Sequence, residues 1–156
     1  MNQLGSAPKH QLADPALAAT LLGTNAEGLL RLSGAGDTDS SLRDLRQGSL
    51  FGALFESLVT LSVRTYAEIE GLEVSHLRTH RGDREIDLVL HSAAGKALAI
   101  EVKLSGTVND DDVRHLNWLH REIGPDLVNR VIVTTGQSAY RRTDGVLVVP
   151  LALLGP

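Results

Sequence analysis

The chain has 156 residues, 42% hydrophobic and 22% charged, the make-up of an ordinary soluble globular protein with room for one proper core. A formal net charge of −4 argues against a strong non-specific nucleic-acid binder, and 3% aromatic content against a base-stacking platform, although an enzyme with a local basic rim remains open. The absence of cysteine removes disulfides, thiol catalysis and Cys-ligated zinc.

Residues 1–11 are polar, with Gly5 and Pro8, and read as a flexible lead-in without the apolar core of a signal peptide. Asp14-Pro15 opens a helix over residues 15–22, with Asp as N-cap and Pro at the first helical position, and Gly23 closes it. Residues 25–32 can make another short helical turn, and the Gly/Ser/Asp-rich residues 33–41 read as a mobile loop. Two segments follow from this: an N-terminal helical lead-in with its loop, 1–41, and a core domain, 42–156.

The core opens with a long helix from about Leu42 or Gly48 to Glu70, stopped by Gly71. Leu50, Phe51, Leu54, Phe55, Leu58, Leu61, Val63 and Tyr66 make it apolar over more than half its girth, which implies burial against more than one layer. Glu56 is the lone charge between Phe51 and Val63. Its small neighbours Gly52, Ala53 and Thr60 would let that edge approach a sheet, so Glu56 either points over the sheet or caps a solvent boundary.

Residues 71–79 form a strand, with His76, Arg78, His80, Arg81 and Arg84 around its end. His76 and His80 are about 13 Å apart along a strand, too far for one zinc ion. The cluster reads as phosphate-contacting or as a solvated turn. Residues 84–91 and 96–103 then alternate around a turn ending in Gly95, which is a β-hairpin. Burying Ile86, Leu88 and Leu90 against Leu98, Ile100 and Val102 puts Leu88 opposite Ile100 and Asp87 opposite Glu101, with Lys103 two residues on. Like charges facing each other across a sheet repel, and a divalent cation between them relieves this. Hard carboxylate oxygens suit Mg²⁺ or Mn²⁺, and a nearby lysine can orient water, the ingredients of metal-assisted phosphodiester hydrolysis. A charged strand face with a plain Glu85–Lys103 ion pair fits the same spacing.

Residues 104–108 are a loop, and Asp110–Asp112 is expected to cap a helix over 113–123 with Val113, Leu116, Leu119 and Ile123 inward. His115 and His120 point about 140° apart on that helix and cannot share a metal. Residues 130–135 form a buried strand, 138–144 a loop carrying Arg141 and Arg142, and 146–150 a last strand. The apolar run 146–154 is interrupted by Pro150 and is too short to span a membrane, so a cytoplasmic protein is expected. The order is helix, three strands, helix, strand, strand. It describes an α/β fold, bordering on α+β, with a mixed sheet flanked by helices; sequence-adjacent strands should pair antiparallel and the crossover helix should give a parallel pair.

Glu56 on the first core helix, Asp87 on the second strand and Glu101-Val102-Lys103 on the third resemble the PD-(D/E)xK nuclease superfamily, the restriction-endonuclease-like three-layer fold of order αβββαβ(β). With Leu12-Ala-Asp-Pro-Ala-Leu and Leu50-Phe-Gly-Ala-Leu-Phe-Glu56, the pattern is similar to the C-terminal domain of unknown function carried by bacterial and archaeal AAA-type ATPases. The resemblance implies a divalent-metal-dependent nuclease acting on DNA. Asp87, Glu101 and the Val102 carbonyl would ligate Mg²⁺ or Mn²⁺, Lys103 would position water and Glu56 would assist. Arg78, Arg81, Arg84, Arg141 and Arg142 would contact phosphates. It equally implies an accessory domain of an AAA-type ATPase that binds a nucleic acid or partner without catalysis. No ATPase phosphate loop occurs in these residues, so the ATPase module would be a separate partner or the chain a fragment.

Overall fold

Local signals set the helix ends. The Asp14 carboxylate accepts from the Leu17 amide at 2.9 Å and caps α1 (Pro15–Leu21), with Pro15 where no intrahelical donor is needed. α2 (Leu42–Ile69) closes with Leu72 N–H donating to the Ala67 carbonyl at 2.8 Å and Gly71 N–H to that of Glu68 at 3.2 Å. This closure needs a left-handed residue, and Gly71 provides it at φ +66°.

The computed structural model describes residues 13–25, 27, 42–80 and 82–155. Residues 1–11, the loop 33–41 and most of the expected turn 25–32 lie outside the described residues. The chain divides into two units, His10–Leu61 and Ser62–Pro156, the division falling inside α2. In the first, Ala16 and Ala19 of α1 and Phe51, Phe55 and Leu58 of α2 help line an apolar cleft of about 330 Å³.

The second unit is built on a six-stranded mixed sheet, so the fold is α/β. Its strands are β1 (Glu73–Arg78), β2 (Glu85–His91), β3 (Ala97–Lys103), β4 (Leu127–Thr134), β5 (Tyr140–Arg141) and β6 (Leu147–Pro150), in the spatial order β1-β2-β3-β4-β6-β5. β1, β2 and β3 form an antiparallel meander. The crossover through α3 (Arg114–Ile123) sets β4 parallel to β3, as expected. Val113, Leu116 and Leu119 on α3 and the turn before it pack on Ile86, Val89, Ala97, Ala99 and Ile132, the core of this unit. Small alanines on β3 let the helix lie close, and the apolar surface removed from water on both sides holds the layers together.

Two expectations are corrected. β6 runs parallel to β4, not antiparallel, because the intervening chain first turns back as β5. The turn from β5 to β6 is closed at Gly145 (φ +88°). Second, Asp110–Asp112 does not cap α3: the N-cap is Val113, without a side-chain cap bond, and two of the three aspartates pair with basic side chains instead.

Candidate functional site at the open end of the hairpin

β2 departs from strict alternation at the residue that matters. Its register with β1 pairs Ser75 with Val89 and Leu77 with Ile86, so His76 alone faces both Asp87 and Leu88. This is a β-bulge, which adds one residue, kinks the strand and re-aims a side chain. Its effect shows in the packing: Ile86 and Val89, three apart, share the core face under α3, whereas alternation would have grouped Ile86 with Leu88 and Leu90.

The hairpin register is the expected one, with Leu88 opposite Ile100, but no backbone pair forms between β2 and β3 beyond it. Where the next bond would fall, the Val102 amide donates to Asp87 Oδ2 at 2.9 Å. The bulge opens the strands, and the aspartate side chain takes the place of a backbone acceptor. A strand residue sends its N–H and C=O to the same edge, so the Val102 carbonyl leaves β3 on the Asp87 side. The Asp87 carboxylate thus lies against the Glu101–Val102 peptide bond, with Lys103 immediately after it.

Glu101 and Lys103 continue the Ala97–Ala99 row and meet the start of α3. Glu101 is only 7% exposed, and its Oε1 lies 3.8 Å from His115 Nδ1. Lys103 Nζ lies 3.6 Å from Asp112 Oδ1. Asp112 is itself held, its Oδ2 accepting from the Asn109 amide at 2.9 Å. The plain Glu85–Lys103 pair allowed by the sequence does not form; Glu85 instead lies 4.0 Å from Arg78. His115 and Asp112 are the residues that sequence reasoning missed. One was considered only as a partner for His120 and the other only as a helix cap, since neither pattern says which strand a helix will cover.

Asp87 and Glu101 with the Val102 carbonyl are an all-oxygen donor set of the kind Mg²⁺ takes, usually one or two carboxylates with water completing the shell. Among the described residues no three His, Cys, Asp or Glu side chains form a ready cage for a metal ion. The donor chemistry fits a magnesium-type ion that keeps most of its water, and does not fit structural zinc.

Glu56 sits half-buried on α2 within the His10–Leu61 unit, whereas the other three site residues belong to the sheet unit. Arg84 lies over the Trp118 ring at 4.4 Å from its centre, and Arg78 flanks the turn at Gly82. Arg141 is exposed and donates to the Gly145 carbonyl at 2.9 Å. Arg81 lies outside the described residues.

Arg142 is tied inward. It donates to Asp110 at 2.5 Å, to the Val108 carbonyl at 3.2 Å and to Asp144 at 3.4 Å. The Asp110 hydrogen bond holds the guanidinium above its ordinary range, against the opposing effect of burial. For Asp144, burial pushes the carboxyl up, but the Asn117 amide, the Val146 N–H and Arg142 outweigh it and leave the group below the usual carboxylate range. Arg130 joins this network through the Asn117 side chain and the Asp144 carbonyl. Through these bonds the Arg142 guanidinium fastens the β5–β6 turn to the loop before α3.

Residues 51–154, well over half the chain, match the model of the family described as Domain of unknown function (DUF4143). The chain belongs to this family. No curated protein matches it. Within this DUF4143 domain, the match covers the sheet, α3 and all of the oxygen donors above. Among the described residues no helix is long and apolar enough to cross a membrane.

Proposed function

We propose that the open end of the β2–β3 hairpin is a divalent-metal-dependent site for hydrolysing phosphodiesters in DNA, in the manner of the PD-(D/E)xK nucleases that the sequence resembles. The observation that carries this reading is the Asp87 carboxylate fixed on the Val102 amide, between the buried Glu101 and Lys103. A fold seeking stability alone would close the ladder there; a bulge that instead turns an acid onto the peptide between Glu101 and Val102 supports a chemical use. Asp87, Glu101 and the Val102 carbonyl would hold Mg²⁺ or Mn²⁺. Such an ion, when bound, polarises a phosphoryl oxygen and lowers the pKa of water. Lys103 would orient the attacking water and hold charge near the scissile phosphate. Arg84 and Arg78, at the β1–β2 turn, would meet the DNA backbone without reading sequence.

A specific observation also supports a second reading. Lys103 already has Asp112 and Glu101 has His115, so these charges are matched within the protein. That suits a non-catalytic domain serving an AAA-type ATPase or a nucleic acid.

Two measurements separate the readings. Calorimetric titration with Mn²⁺ should show saturable binding that Asp87→Ala abolishes, and an isotherm without binding would leave the accessory role. Plasmid nicking should be lost in Lys103→Ala while Mn²⁺ binding persists; equal nicking by both proteins would mean a contaminant and end the enzyme claim.

A further inference from the structure

We infer that His115 is a positioning residue for Glu101, holding the buried carboxylate in place from α3; this rests on the metal-site reading above. The ring is fixed at both nitrogens. Arg114 Nε donates to His115 Nε2 at 3.0 Å, and arginine has no lone pair to accept, so Nε2 is the acceptor. The ring proton therefore sits on Nδ1, 2.8 Å from the Glu85 carbonyl. The Glu85 amide is also 3.4 Å from Nδ1, but a protonated nitrogen cannot accept from it, so the carbonyl contact is the bond. The same Nδ1–H edge faces Glu101 Oε1 at 3.8 Å, beyond direct hydrogen-bond length. It thus confines the carboxylate by its dipole from the α3 side.

The spacing around it supports the assignment. Asp112 and His115, three residues apart, face Lys103 and Glu101, two apart on β3. Asp112 in the turn before α3 and His115 in its first turn thus address both charges from the same end of the helix. Each charge meets its complement, the acid a ring N–H and the base a carboxylate. Orientation of metal-ligating groups by a second layer of hydrogen-bonding side chains is a general device, and its loss weakens metal binding.

The test uses the full chain and three variants. His115→Ala removes the ring. His115→Asn keeps a side-chain N–H near the position of Nδ1. His120→Ala, on the exposed side of the same helix, is the control. Two readouts are taken: Mn²⁺ affinity by calorimetry, and the Glu101 side-chain carboxyl resonance by ¹³C NMR without metal. The expected result is an affinity loss of about tenfold or more in His115→Ala, recovered to within about threefold in His115→Asn, with His120→Ala unchanged. The Glu101 resonance should move in His115→Ala alone. If it stays at its wild-type position there, His115 does not position Glu101 and the inference is overturned, whatever the metal does. If wild type binds no Mn²⁺ but the resonance moves as described, the positioning role stands and the metal-site reading fails.

Discussion

Replacing Asp87 separates what the residue does for the fold from what it does for the site. In Asp87→Ala the Val102 amide loses the acceptor it holds at 2.9 Å, at a position already half-buried. A donor orphaned in this way costs about 1–3 kcal/mol. Loss of the charge acts in the opposite direction, because it relieves repulsion from Glu101. Like charges facing each other across a sheet are worth about 0.2–1 kcal/mol. The orphaned donor wins, and Asp87→Ala should be less stable than wild type by about 1–2 kcal/mol. Asp87→Asn keeps a side-chain carbonyl for the Val102 N–H and removes the same repulsion, so it should stay within about 0.5 kcal/mol of wild type. Urea unfolding measures both, read as a shift in midpoint at constant slope. Neither variant should bind Mn²⁺. An Asp87→Ala protein as stable as wild type would show that the amide does not depend on this carboxylate. An Asp87→Asn protein that still bound the metal normally would show that the charge is not a ligand.

The Asp144 carboxyl lies below its ordinary range in the folded protein, so its contribution is full above the unfolded value of about 3.9 and fades as the pH falls through the lower folded value. The destabilisation by Asp144→Ala, measured in urea, should therefore be larger at pH 7 than at about pH 3. Trp118 is the single tryptophan, which makes its contact with Arg84 directly visible: Arg84→Ala should shift its fluorescence emission and cost about 0.5–1 kcal/mol. At Gly71 an added Cβ meets nothing within 4 Å, so Gly71→Ala should lose only the cost of a left-handed alanine, about 1–2 kcal/mol by thermal unfolding, and Gly71→Asn less.

The helices and most strands were legible because their signals are local. Asp14-Pro15 and Gly71 mark helix ends through backbone chemistry that needs no distant partner, and the hairpin turn at Gly95 fixes which residues of β2 and β3 face each other. Leu88 opposite Ile100 followed from burying two apolar rows, and the ladder has that pair. The route of β6 was not legible, because β5 is only two residues long and carries no alternation to read.

What the residues alone determined is therefore the α/β order, the hairpin register and the grouping of Asp87, Glu101 and Lys103 on adjoining strands. Tertiary structure decided how that grouping is held. The bulge opposite His76 is a property of β2 paired with β1, invisible in either strand alone, and it turns Asp87 onto the Val102 amide. The choice of α3 to cover the alanine face brought His115 to Glu101 and Asp112 to Lys103, since a helix settles where its apolar stripe finds a complementary surface. Periodicity specifies which side of a helix is apolar; only packing specifies which strand its polar edge will meet.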